Sequence, residues 1–385
     1  MKSAVIIDCC RTPIGRAHPE KGVYRDVRSD DLAIEVVRAI VARTGVDPKA
    51  IEDVVLGNTQ QQREQGLNVA RTVGLMAGLP VEAAGATVNR LCGSSLQALA
   101  QASHAILADA EDVQVVGGLE HMHHIPMDAG IDLNPKLFTR TSKAALMMGV
   151  TAEFLAQTQG ITREEQDEFA LASHRKASTA SAGGQFSAEI IPIWGRDEAG
   201  NRTLIERDQT VRDDATLEAL AALKPAFMPG MGTVTAGNSS PLNDGAAALL
   251  MMSEESAKRL GLKPLAKVRA TAVAGVDPSV MGTGPVPATQ KALKRAGLTL
   301  ADIDLIELNE AFASQAIACI RMLGLDGGKV NVRGGAIAIG HPLGASGARI
   351  ATTLIHAMKD KDATLGLATM CIGVGQGIAV IFERV

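Results

Sequence analysis

The chain has 385 residues, of which 46% are hydrophobic and 39 are glycine, and its formal net charge is -4; such a length suits two or three domains with sizeable cores. No long run of lysine or arginine marks a surface for nucleic acid or an anionic membrane, so a small-molecule partner is expected. The five cysteines, Cys9, Cys10, Cys92, Cys319 and Cys371, are odd in number and lack zinc-type spacing. Reduced thiols in a cytoplasmic protein follow, and no apolar run reaches bilayer length or reads as a signal peptide.

In chain order, "SAVIID" predicts the first strand, Leu32 to Ala42 a helix, "DVVLG" near Asp53 a second strand, Leu96 to Ala108 a helix, and "VQVVGG" near Val113 a third strand. Apolar residues recur three and four apart in the helical segments, while the strands are short and β-branched. Residues 118–233 break the pattern with "HMHHIPMDAGIDLNPKLF", two charged helical stretches and the polar segment "WGRDEAGNRTLIERDQTVRDD". This middle reads as an inserted loop domain whose polar part is a solvated surface. Strand patterns return at "DLIELN", "TLGLATM" and "IAVIF", completing an α/β chain.

The two ends repeat. A shift of 251 positions (309 minus 58) lays Asn58 of "IEDVVLGN" on Asn309 of "IDLIELN", and also matches Gly93 to Gly344, Ser95 to Ser346, Ala100 to Ala351 and Asp109 to Asp360. One ungapped offset in two separate segments implies a duplicated fold, with Cys92 and His341 in equivalent turns.

Four short segments carry chemistry. In "VNRLCGSSLQALAQA", Cys92 stands before a predicted helix, where free N–H groups would favour a thiolate; the plainer alternative is a buried small residue. In "GGAIAIGHPLGASGAR", His341 occupies a glycine-rich turn held by Pro342. In "MCIGVGQG", Cys371 ends an apolar strand, and Gly373, Gly375 and Gly377 allow close backbone approach. A dinucleotide reading of that GxGxG fails, because such a turn opens a helix within a unit of about 30 residues and the strand-like "IAVIF" follows instead. In "ELNEAFASQA", Asn309 and Glu310 close a strand, where Asn309 alone would suit an N-cap.

Together "VNRLCGSS", "NEAFA", "GGAIAIGHPLGASGAR", "MCIGVGQGIAVIFERV" and "TVTAGNSSPLNDGAA" resemble the thiolase family from one end of the chain to the other. "GGLEHMHHIPM" and "MMGVTAEFLA" are most similar to its bacterial degradative branch, the 3-ketoacyl-CoA-cleaving acyltransferases of fatty-acid oxidation. The resemblance implies two duplicated βαβαβαββ halves in a five-layer αβαβα core: residues 1–117 with 234–253 returning, a loop domain 118–233 over the active site, and a second half 254–385. It implies cleavage of a 3-ketoacyl-CoA by coenzyme A, the alternative being a short-chain acetyl-CoA acetyltransferase running condensation.

The same resemblance assigns roles. Cys92 is the nucleophile, His341 its base, and Cys371 the acid and base at the carbon that leaves; a cysteine pKa of about 8.5 suits that exchange. His341 with a water held by Asn309 serves the thioester oxygen, and the N–H groups of Cys92 and Gly373 hold the other oxyanion. Ser240, Ala236, Met148 and Phe312 match residues along the pantetheine arm, though packing explains the apolar three equally well. No permanent cofactor or metal is implied, only CoA and acyl-CoA as substrates, in a homo-oligomer (a dimer or dimer of dimers) that the resemblance allows to join a hydratase and dehydrogenase subunit. Met147 replaces the histidine of biosynthetic members, Arg333 stands where small or neutral residues are usual, and the connection from Leu325 to Val330 is short.

Competing readings are weaker. A metal at His121, His123 and His124 lacks a further spaced ligand, and Cys9 and Cys10 suit packing. A decarboxylating condensing enzyme would not need Cys371, and a Cys-His-Asn hydrolase would need water where the glycine and serine segments suit a long thiol.

Overall fold

The computed structural model describes residues 2–385. Its strands are β1 (Ala4–Arg11), β2 (Gly15–Arg16), β3 (Asp53–Gly57), β4 (Ala86–Val88), β5 (Gln114–His121), β6 (Ile193–Arg196), β7 (Arg202–Ile205), β8 (Asn243–Ser253), β9 (Ala266–Gly275), β10 (Leu305–Leu308), β11 (Leu365–Ile372) and β12 (Gln376–Arg384). The α-helices are α1 (Ser29–Thr44), α2 (Val69–Ala77), α3 (Ser94–Leu107), α4 (Met148–Thr158), α5 (Arg163–Ala182), α6 (Leu217–Ala221), α7 (Glu254–Arg259), α8 (Pro285–Ala296), α9 (Ala313–Leu323), α10 (Ala336–Ile339) and α11 (Leu343–Asp360).

The principal sheet runs β10-β11-β12-β9-β1-β8-β5-β3-β4. From its middle outward the two arms match. In one, β1, β8 and β5 pair antiparallel, and β5, β3 and β4 parallel. In the other, β9, β12 and β11 pair antiparallel, β11 and β10 parallel, and a parallel bridge from Ile306 to Val330 stands where β4 does. The arms meet where β1 and β9 pair at Val5–Lys267 and Ile6–Ala266. The duplication expected from the offset is present: β5 begins at 114 and β11 at 365, a difference of 251.

Alternation along the strands makes the layers. On β8, Ala246, Ala248, Leu250 and Met252 pack with Leu32, Val36, Val37 and Ile40 of α1 on the outer face. Ala247, Leu249 and Met251 turn the other way, onto Leu96 and Leu99 of α3 and Ile350 and Leu354 of α11. On β12, Ile378, Val380 and Phe382 join that same central core, while Ala379 and Ile381 face Ala288 and Ala292 of α8. Thus α3 and α11 form the middle layer between two β layers, with α1 and α8 outside. Each buried Leu, Ile or Phe contributes about 1.5–3 kcal/mol, so the middle layer ties the halves together.

Two departures from the sequence reading concern residues 118–233. The expected boundary at 118 falls inside β5, which continues to His121 because Leu119, Glu120 and His121 stay buried and paired with β8. The polar segment forms the β6–β7 hairpin and is not wholly solvated. Asp208 is buried, and its carboxylate accepts from Arg11 Nη1 at 2.6 Å and Nη2 at 3.0 Å.

Candidate active site

Chain reversals before α3 and α11 carry the two leading residues, and the helices lock together there: the N–H of Ala348 donates to Ser95 Oγ at 2.8 Å. Gly344, at the start of α11, passes so close to Leu119 O and Asn58 Cα that an added Cβ would stand 2.6 and 2.8 Å from them. Glu120 secures the same point. Its buried carboxylate accepts from the N–H of Gly344 at 2.9 Å, Thr59 Oγ1 at 2.7 Å and Gln65 Nε2 at 2.9 Å.

Cys92 follows Leu91, whose φ of 45° is unusual for a non-glycine residue, and is half-buried. Burial pushes its thiol up to about 11, although the N–H groups of Gly373 and of Cys92 itself pull the other way. The expectation that a helix N-terminus would lower this pKa is corrected. The helix begins only at Ser94, and lost solvation outweighs the N–H dipoles.

His341 enters its turn through Gly340, at φ 118°, where a methyl group would meet Asn243 Nδ2 at 2.8 Å. That close neighbour is used: the His341 N–H donates to Asn243 Oδ1 at 2.8 Å. His341 Nδ1 lies 2.5 Å from Ser346 Oγ, and Ser346 donates its hydroxyl proton to Pro342 O at 2.9 Å. The serine must therefore accept from the imidazole, which puts the proton on Nδ1 and leaves Nε2 as a free base. Burial, and then the charge of Arg349, lower this histidine to about 3.

Asn309 is fully buried and does not cap α9, whose N-cap is Phe312. Its Nδ2 instead lies 3.4 Å from His341 Nε2. Cys371 is buried at the end of β11, and its thiol is pushed well above the ordinary range by burial and by Cys92. The pKa near 8.5 expected for it is corrected on that ground. Burial thus favours the neutral thiol at both cysteines and the neutral imidazole at His341. The Gly373 N–H thus bears on Cys92 and Cys92 on Cys371, while Asn309 faces His341.

The matched pantetheine residues divide. Met148 and Phe312 pack with Cys371, Val234 and Met281 in one apolar cluster. Ser240 Oγ donates to Ala311 O at 3.1 Å, and Ala236 is exposed. His121 and His124 stack with centroids 3.7 Å apart, and their Nε2 atoms face the carbonyls of Tyr24 at 3.1 Å and Arg25 at 2.8 Å. Arg333 is buried near Glu189, at 3.6 Å, and pairs with Asp360. Sequence reasoning missed Ser346 as the partner of His341, and also Asn243, Glu120 and Arg349. The signal for Ser346 was its place in the first turn of the helix that follows the histidine.

Residues 4–255 match the thiolase N-terminal domain and residues 262–384 the thiolase C-terminal domain. A 3-ketoacyl-CoA thiolase of Shewanella loihica is 56% identical over 388 residues, and one of Aeromonas hydrophila 55% over 389, with full coverage of both chains in each case. Among solved structures, the Bacillus anthracis acetyl-CoA acetyltransferase has a TM-score of 0.91 at 40% identity, and the human mitochondrial 3-ketoacyl-CoA thiolase 0.91 at 38%. Each covers 100% of this chain and 99% of its own. The chain belongs to the thiolase family.

Proposed function

We propose that the protein cleaves 3-ketoacyl-CoA with coenzyme A, giving acetyl-CoA and a shortened acyl-CoA. One observation supports the reading: Cys92 and Cys371 lie close enough to act on each other electrostatically, and His341, which we place beside them, has an unprotonated Nε2. A single nucleophile would serve hydrolysis; a second thiol supplies the proton that a carbon leaving group requires.

The first half-reaction begins as His341 Nε2 takes the Cys92 proton and the sulfur bonds to C3 of the substrate. The oxyanion at C3 collapses, the C2–C3 bond breaks, and its electron pair leaves on C2. Cys371 protonates that carbon, releasing acetyl-CoA and leaving acyl-Cys92. Because both thiols are held protonated by burial, the first can give its proton to His341 only as the C–S bond forms, and the second still has one to donate.

In the second half-reaction the Cys371 thiolate takes the proton of CoA, whose sulfur attacks the acyl carbon. Cys92 departs and recovers its proton from His341, restoring the site. The N–H groups of Cys92 and Gly373 hold the oxyanion on the acyl enzyme, and Asn309 with His341 faces the thioester oxygen of the departing acetyl-CoA. One such donor is typically worth about 2.7–4 kcal/mol. Met148, Phe312 and Ser240 line the approach of the pantetheine arm, and Ala236 lies at its surface end.

The reading extends to a first half that runs to the end of β5 and takes in 234–253, a cover between them, and a second half 254–385, supported by β8 returning to pair with β1 and β5. It includes a cytoplasmic homo-oligomer with no resident cofactor. No helix among the described residues is long and apolar enough to cross a membrane. The condensing acetyltransferase is disfavoured by the 54–56% identity of full-length relatives named for 3-ketoacyl-CoA. The test is CoA-dependent cleavage of acetoacetyl-CoA and of a long-chain 3-ketoacyl-CoA, with Cys92→Ala and Cys371→Ala as controls. Cleavage of both, lost in each variant, is expected; cleavage of acetoacetyl-CoA alone would restore the acetyltransferase.

A further inference from the structure

We propose that Arg349 is a positioning residue that locks the Asn309 carboxamide, so that its N–H faces His341 throughout the proton cycle. The proposal rests on the role given to Asn309 above. Arg349 is fully buried on α11, with Nη2 3.5 Å from Asn309 Oδ1, while Asn309 Nδ2 lies 3.4 Å from His341 Nε2. The two ends of a carboxamide have nearly the same shape, so the donors and acceptors around it decide which way it turns. A guanidinium only donates, and therefore selects the oxygen.

At rest the imidazole agrees, because its free Nε2 selects the amide N–H. The agreement ends when His341 takes the proton of Cys92. Nε2 then carries a proton and opposes the N–H of Asn309, and an unheld carboxamide would turn its oxygen toward the imidazolium. Turning would point the NH2 group at a permanent cation inside a low-dielectric core, where such opposition is stronger than in water. The same cation helps to keep His341 low, so the imidazolium returns its proton readily.

Arg349 also neighbours Glu307, and a purely structural ion pair is the rival explanation. The geometry argues against it. Arg349 Nη1 and Glu307 Oε2 are 3.7 Å apart, and neither atom has a hydrogen-bond partner among the described residues. Burial moreover pushes Glu307 up to about 8 against the pull of Arg349, which weakens that pairing, and Glu310 and Asp208 act on the guanidinium as well.

The experiment is a double-mutant cycle on thiolysis, measuring kcat and KM across pH for wild type, Glu307→Gln, Arg349→Met, Asn309→Ala and Arg349→Met/Asn309→Ala. Arg349→Met should lose on the order of 10- to 100-fold in kcat with KM within about threefold, as expected for an interaction used in the transition state. Its acid limb should move to higher pH, and the double variant should lose no more than about twofold beyond Asn309→Ala alone, since Arg349 acts through Asn309. Glu307→Gln should stay near wild type. Losses that multiply, a KM effect without a kcat effect, or equal damage from Glu307→Gln would overturn the lock. If Arg349→Met does not fold, Arg349→Lys carries the same cycle, and multiplying losses there overturn it as well. A wild-type protein that cleaves no 3-ketoacyl-CoA would instead remove the functional reading beneath it.

Discussion

Ser346 Oγ lies 2.5 Å from His341 Nδ1 and donates its own proton to Pro342 O at 2.9 Å. A residue one turn inside α11 thus sets the tautomer of the histidine that precedes it. Replacing Ser346 with alanine frees the ring to take either tautomer or to rotate. We expect kcat to fall about 10- to 100-fold, the size of a general-base contribution partly lost, with KM little changed. Steady-state kinetics with a long-chain 3-ketoacyl-CoA checks this, and an unchanged kcat would show that packing alone orients the ring.

The protonation of the resting site predicts its reactivity. Cys92 is pushed up to about 11 and His341 down to about 3, both mainly by burial, so the thiol and the neutral imidazole coexist at pH 7. The rate of Cys92 alkylation by iodoacetamide should keep climbing as pH rises through the neutral range into the alkaline. A plateau reached below neutrality would reveal a resting thiolate–imidazolium pair.

Stability should respond to Asp244. Burial raises this carboxyl from 3.8 to about 7, and its Oδ1 lies 3.3 Å from His121 Nδ1. His121, itself lowered to about 4 by burial, is neutral. A raised folded-state pKa on an acid means that the native protein binds the extra proton, so its contribution is full below the unfolded pKa and lost as pH rises through about 7. The wild-type Tm should therefore decline between mildly acidic and mildly alkaline pH. Asp244→Asn, whose amide can donate to His121 at any pH, should flatten that decline; equal slopes would show that Asp244 does not carry it.

Close backbone packing predicts the cost of a methyl group. A Cβ at Gly118 would stand 2.2 Å from Gly344 O and 2.8 Å from Gly57 O, both backbone atoms that no side-chain rotation moves aside. Gly118→Ala should cost at least about 1–3 kcal/mol, the usual range for overpacking, and should displace the start of α11 together with His341. Denaturant unfolding and kcat, measured together, should both fall; a variant of native stability would contradict the packing.

Much of this was legible in the residues themselves. The 251-residue offset found the duplication because β5 and β11 lie the same distance apart as Asn58 and Asn309. It also pairs Glu120 with Cys371 (120 plus 251), equivalent strand ends that hold a carboxylate in one half and a thiol in the other. By contrast, β8 is hard to read: all 11 of its residues are buried, so "NDGAAALLMMS" shows no alternation and suits a helix equally well. Asp208 was misplaced for a similar reason, since a charge run reads as solvated unless its counter-ion, Arg11, is known to be folded against it.

By itself the sequence determined the order of elements, the repeat, the family and the positions of Cys92, His341, Cys371 and Asn309, because each rests on local pattern or on motif spacing. Only the tertiary structure decided their chemical states. Whether a thiol rests protonated, which imidazole nitrogen is free and which way a carboxamide points depend on solvation and on partners such as Ser346, Asn243 and Arg349. Arg349 lies 40 residues beyond the Asn309 it faces, and only folding brings the two within 3.5 Å.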